Sequence, residues 1–125
     1  MSLPATQSTS ARSWQRGLLW SAQALLALAF LAAGGAKLAG VPEIVGLFDR
    51  IGWGQWLRFV TAAVEITGAI LLLVPRAAWV GAGLLLCTMI GALIVNLTLG
   101  ENPTGALALG ALALLVLWAR RPGTA

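Results

Sequence analysis

One acidic residue, Glu65, stands near the middle of a mostly apolar run, Leu57–Val74, that is long enough to cross a bilayer. A carboxylate at that depth costs about 2.5–3.5 kcal/mol on insertion scales. It persists there by facing a protein interior, by finding a partner, or by lining a polar path, so ion pairing, ligand binding and proton transfer are the chemistries open to it. Thr61 at i−4 and Arg58 at i−7 share its helical face. Lys37 closes the preceding apolar run on the same side as Arg58, and a lysine stem can bend inward as well as snorkel outward. A Lys37–Glu65 pair is reachable if the first run stays helical through Leu38. Asn96 approaches the same half from a third run and can both donate and accept. Trp53 and Trp56 precede Glu65's run and are expected overhead. Gln23, about four turns from Lys37, lies too far towards the other end to join them.

These residues have two readings. Buried polar side chains clamp membrane helices together at about 0.6–2 kcal/mol each. Intramembrane acids, in contrast, usually mark function. The second argument favours a ligand or proton site at Glu65. For Thr61 and Asn96 the clamp is favoured, and Arg58 reads as an interface anchor. If Lys37 reaches Glu65 the two form a charged pair. If it does not, Glu65 is a neutral acid available for proton transfer.

The elements that must position this group follow from hydropathy. Of 125 residues, 59% are hydrophobic and 10% charged, too apolar for one water-soluble core, so lipid must be the solvent for much of the surface. Four apolar runs occur, at about Gly17–Ala36, Leu57–Val74, Ala77–Leu97 and Thr104–Ala119. Only helices suit them, because open strands would leave backbone groups unpaired in lipid. The expected fold is all-α, a polytopic four-transmembrane-helix bundle over residues 17–121, with a tail at 1–16 and another at 122–125. Between spans one and two, Pro42 opens a short amphipathic helix whose Ile44, Val45, Leu47, Phe48 and Ile51 oppose Glu43, Asp49 and Arg50. Such a helix lies on the interface or forms a lid over the bundle.

Six tryptophans fall at or near run ends, where indoles prefer the headgroup zone. Arg12, Arg16, Arg76, Arg120 and Arg121 share one side with no acidic residue among them. The cationic bias predicts both termini in the cytoplasm, with residues 1–16 a mobile cytoplasmic tail. Arg12, Arg16, the first run and Ala33–Ala36 also resemble a cleavable signal peptide. The run is longer than a usual signal core and Lys37 follows at once, so retention is expected.

Several function classes fall away. The net charge of +4 is scattered between apolar runs, with no basic stripe or nucleic-acid module, so nucleic acid is not an expected partner. There is no histidine and one cysteine, Cys87, which excludes bis-His haem, His-based metal sites and a thiol pair. Cys87 reads as a small packing residue in a strip with Gly83 and Gly91 that lets helices approach closely, and Met89 as gap-filling core.

The run Phe30–Pro42, containing Gly34, Lys37, Leu38 and Gly40, is similar to the first-span signature of DoxX-like membrane proteins. So are Glu65-Ile66-Thr67-Gly68-Ala69 with Pro75 beyond, and Met89-Ile90-Gly91-Ala92 leading to Asn96. The match extends from about Gly17 to Arg121. This resemblance implies a compact four-helix membrane bundle with Lys37 and Glu65 at the family's characteristic polar positions. It further implies association with membrane redox complexes, since founding relatives are subunits of a thiosulfate:quinone oxidoreductase. Two departures matter: Ala62 stands where many relatives carry Gly, and Asn96 where many carry His, which removes a proton-shuttling group.

The expectation is an accessory, non-catalytic subunit of a quinone-linked complex in the bacterial inner membrane. Its pocket comprises Glu65, Lys37, Asn96, Thr61, Arg58, Trp53 and Trp56. No cofactor is evident, and quinone is the candidate ligand. Its partners are the lipid bilayer, redox-complex subunits and further copies of itself. The alternatives are a small oligomeric proton-coupled transporter and a purely structural partner protein. A stand-alone redox enzyme is disfavoured.

Overall fold

The computed structural model describes the backbone over residues 5–122 and the side chains from Ser13 onward. Five helices follow in order: α1 (Ala5–Ala39), α2 (Pro42–Ile51), α3 (Trp56–Leu72), α4 (Ala78–Leu99) and α5 (Thr104–Arg120). No strand occurs among the described residues. The first helix starts well upstream of the expected Gly17, so the segment expected as a tail is helical from Ala5. Residues 1–4 and 123–125 lie outside the described part, including most of the tail expected at 122–125.

Local sequence explains where the helices stop. Gly40 ends α1 in the left-handed region (φ 73°), which an L side chain resists, and Pro42 then opens α2 at its first turn. Gly52 closes α2 at φ 85°, and its amide bonds the Phe48 carbonyl. The chain then bends by 116° between α2 and α3.

Helices α1, α3, α4 and α5 form a closed ring in that order, with α1 and α4 on one diagonal and α3 and α5 on the other. Across one end lies α2, touching α1, α3 and α4. The core comprises Leu26 and Phe30 of α1, Ala69 and Leu72 of α3, Leu85 and Met89 of α4, and Ala113 and Val116 of α5. Leu28, Ile94 and Leu97 are about two-thirds exposed (64%, 60% and 64%), as expected of faces whose solvent is hydrocarbon.

Helix lengths differ among the four crossings expected, the fourth of which is expected to be short. Ser13–Ala39 (27 residues) and Ala78–Leu99 (22 residues) are long and apolar enough to span alone. Helices α3 and α5 have 17 residues each. At about 1.5 Å per residue that is roughly 25 Å, short of a hydrocarbon layer of roughly 30 Å. The sequence pattern overran α3 because Leu73 and Val74, though apolar, already belong to the turn.

The close helix contact also differs from expectation. Gly83 and Gly91 face no neighbour within 4 Å, and Cys87 is exposed. The tight crossing is instead Gly68 on Gly81: a Cβ at Gly81 would lie 2.6 Å from the Gly68 carbonyl and 2.8 Å from the Leu72 nitrogen. Both are backbone atoms, so the α3–α4 contact needs glycine there. Met89 is buried as expected.

Candidate functional site

Helix α1 continues through Ala39, which satisfies the condition for Lys37 to face α3. One turn earlier, Gly34 brings the two helices together: a Cβ there would lie 2.6 Å from Ile66 Cγ1 and 3.3 Å from the Ala62 carbonyl. This approach carries the lysine to its partner. Lys37 Nζ lies 2.6 Å from Glu65 Oε1, with the lysine side chain 18% exposed and the glutamate 1%. The second carboxylate oxygen, Oε2, is buried and makes no hydrogen bond among the described residues. Of the two arrangements left open by sequence, Lys37 within reach of Glu65 or out of it, the geometry is the first.

The pair lies in the wall of a cavity of about 340 Å³. Its α3 wall is Leu57, Val60, Thr61, Val64 and Glu65, and its α4 wall is Thr88, Met89, Gly91, Ala92, Val95 and Asn96. Leu47, Phe48 and Ile51 of α2 form the roof. The amphipathic segment is therefore a lid. It is held down by Arg50, which pairs with Glu101 and donates to the Leu99 carbonyl at 3.0 Å. Gln55 secures its other flank, donating to Asp49 Oδ1 at 2.8 Å and the Val45 carbonyl at 3.1 Å.

Four of the seven expected pocket residues line this cavity together: Lys37, Glu65, Thr61 and Asn96. The Thr61 hydroxyl is committed to its own helix, donating to the Leu57 and Arg58 carbonyls at 3.0 Å. Asn96 clamps nothing: its side-chain amide makes no hydrogen bond among the described residues.

The other three expected residues are not in the wall. Arg58 is buried rather than an exposed anchor. It pins the end of α1 by donating to the Lys37 carbonyl, bonds Gln55 Oε1 at 2.8 Å, and stacks 4.4 Å from the Phe59 ring centre. Trp53 and Trp56 are exposed at the α2–α3 corner, 69% and 56%, and the Trp56 indole donates to the Trp53 carbonyl. They were placed overhead by sequence proximity alone, whereas the bend after α2 puts that helix, not the corner, above the cavity.

Sequence reasoning missed Thr88, although Thr88, Ala92 and Asn96 recur every fourth residue and so share a helical face. It also missed the Arg50–Glu101 latch, whose partners stand 51 positions apart with no local pattern. Gln23 stays apart from the pair, as expected, and instead bonds the Leu72 carbonyl and Arg120.

Residues 21–120 match the family model of the DoxX-like family. The chain belongs to the DoxX-like family. No curated protein and no solved structure matches it. Within this DoxX-like membrane protein, the Lys37–Glu65 contact joins two of the three motifs on which the resemblance rested. Where many relatives were expected to carry histidine, the free amide of Asn96 faces the cavity.

Proposed function

We propose that this DoxX-like protein is an accessory, non-catalytic subunit of a quinone-linked redox complex in the bacterial inner membrane. Its cavity holds a quinone or an amphipathic molecule of similar head shape. The observation that carries this reading is a buried Lys37–Glu65 ion pair in the wall of an otherwise apolar cavity beneath a helical lid. Lys37 keeps two further N–H donors for a ring carbonyl once Glu65 is satisfied. Asn96 offers a donor and an acceptor from the opposite wall. Because Glu65 neutralises Lys37, a neutral head group is favoured over an anion. A cavity of about 340 Å³ is at the small end of ligand pockets, which run about 300–1,000 Å³. It suits a ring, with an apolar tail left to the bilayer.

In this reading all four ring helices cross the membrane, α2 lies on the outer face, and both termini are cytoplasmic. Support comes from Trp14, Trp20, Trp79 and Trp118 near one end and Trp53 and Trp56 at the other. Arginine without acid at the first end points the same way. Redox-complex subunits or further copies of the chain are the proposed partners.

The test is native mass spectrometry of the gently extracted protein and of its Asn96→Leu variant. Wild type should carry a quinone, and the variant should bind it about five- to tenfold more weakly, as for the loss of one hydrogen bond. Quinone missing from wild type, or equal in the variant, overturns the proposal. Proton flux in vesicles that disappears in Glu65→Gln would instead establish the transporter.

A further inference from the structure

The end of the bundle away from the lid holds a second buried polar group that the cavity does not use. Gln23 is wholly buried between α1, α3 and α5. Its Nε2 donates to the Leu72 carbonyl at 2.8 Å, and its Oε1 accepts from Arg120 Nε at 2.8 Å. That bond fixes the plane of the guanidinium, which lies 5.3 Å from the Trp20 ring centre. Arg120 Nη2 is buried and has no hydrogen-bond partner among the described residues. Arg16 stands one turn before Trp20 on α1, and Arg76 lies in the turn just beyond Leu72. The sequence holds four acidic residues: Glu43, Asp49 and Glu101 lie around the lid, and Glu65 is paired with Lys37. No acidic side chain of this chain answers Arg120.

We propose that this end is a binding site for the head group of an anionic phospholipid, its phosphate held by Arg120 with Arg16 and Arg76 beside it. A guanidinium presents paired donors in a plane that matches two phosphate oxygens. Gln23 is the positioning residue: it consumes Nε and leaves the Nη groups for the anion. Arg120 is half-buried at the helix end, which leaves its guanidinium within reach of a phosphate at the rim. Trp20 is partly exposed, and indoles settle at headgroup depth, which sets the site at the level of the lipid phosphates. Each cation near an anionic leaflet strengthens attachment about fivefold. Three cations without a counter-charge therefore discriminate strongly against zwitterionic lipid. The inference is independent of the quinone reading, because no residue is shared.

The test uses the full chain in vesicles of phosphatidylglycerol and phosphatidylcholine with identical acyl chains, followed by native mass spectrometry. Wild type should retain phosphatidylglycerol preferentially. Arg120→Gln should weaken that retention about tenfold, as for a lost charge-assisted hydrogen bond, and Arg120→Lys by less. Arg50→Gln, at the opposite end, should leave it unchanged. Equal retention of both lipids overturns the proposal. So does displacement of the lipid by millimolar inorganic phosphate, which would mark a free-anion site. Should Arg120→Gln fail to fold, wild-type melting decides: phosphatidylglycerol must raise the transition and phosphatidylcholine must not.

Discussion

Removing Lys37 should cost this protein far more than removing its partner. In Lys37→Met, Glu65 is left 1% exposed with neither oxygen paired, deep in an apolar wall. Breaking a buried pair in that way costs about 3–5 kcal/mol, because an uncompensated charge remains. In Glu65→Gln the surviving ammonium is already 18% exposed at the helix end. Its stem can swing to the headgroup zone, so the loss should be nearer about 1–2 kcal/mol. The double variant Lys37→Met/Glu65→Gln removes both charges and should recover most of the lysine deficit. A double-mutant cycle, with unfolding followed by circular dichroism in detergent micelles, measures all three values. Infrared spectroscopy supplies an independent readout, since losing Lys37 should shift the Glu65 carboxyl band. Equal losses in the two single variants, or no recovery in the double, would refute the asymmetry. An unaltered infrared spectrum would dispose of the pair itself.

Gly81→Ala places a methyl 2.6 Å from the Gly68 carbonyl, where neither backbone can yield, and should destabilise by about 1–3 kcal/mol. The same change at Gly83, which faces nothing within 4 Å, should stay within about 0.5 kcal/mol in the same unfolding assay. Arg50→Gln opens an exposed latch and should lower stability by less than about 1 kcal/mol. With Thr61→Cys in a Cys87→Ser background, it should nevertheless speed maleimide labelling of the cavity several-fold; an unchanged labelling rate would show that α2 is not the gate. Met89→Ala, in the buried core and the cavity wall, should cost about 2–5 kcal/mol and enlarge the pocket, as judged by melting and by uptake of a bulkier quinone analogue.

The sequence carried the ion pair because its cost was visible. An acid in a hydrophobic run demands a cation at a calculable depth, and Lys37 was the one that helix continuation could deliver. It also carried α2, since Pro42 and Gly52 mark its ends and its apolar face repeats at helical spacing. What it could not carry was rotation and bend. Trp53 and Trp56 belonged to the pocket only if the chain turned the other way after Gly52. Arg58 looked like an anchor because a lone arginine at a span end usually reaches for headgroups. The α1 terminus, with unpaired carbonyls of its own, captured it instead. Glycine strips are ambiguous for the same reason. Every fourth residue defines a face, but not which face meets a neighbour, and Gly81 rather than Gly83 is turned inward.

The unequal helices of the ring have a mechanical consequence for the surrounding lipid. The long members sit on one diagonal and the 17-residue members on the other. If all four cross as proposed, the acyl layer must pinch on two opposite flanks and stand at full height on the two between, a saddle-shaped rim. Mismatch costs fractions of a kcal/mol per ångström. Neighbouring molecules that abut pinched flank to pinched flank would share that deformation and so attract one another through the membrane, without any protein contact. Thinner bilayers should weaken that attraction.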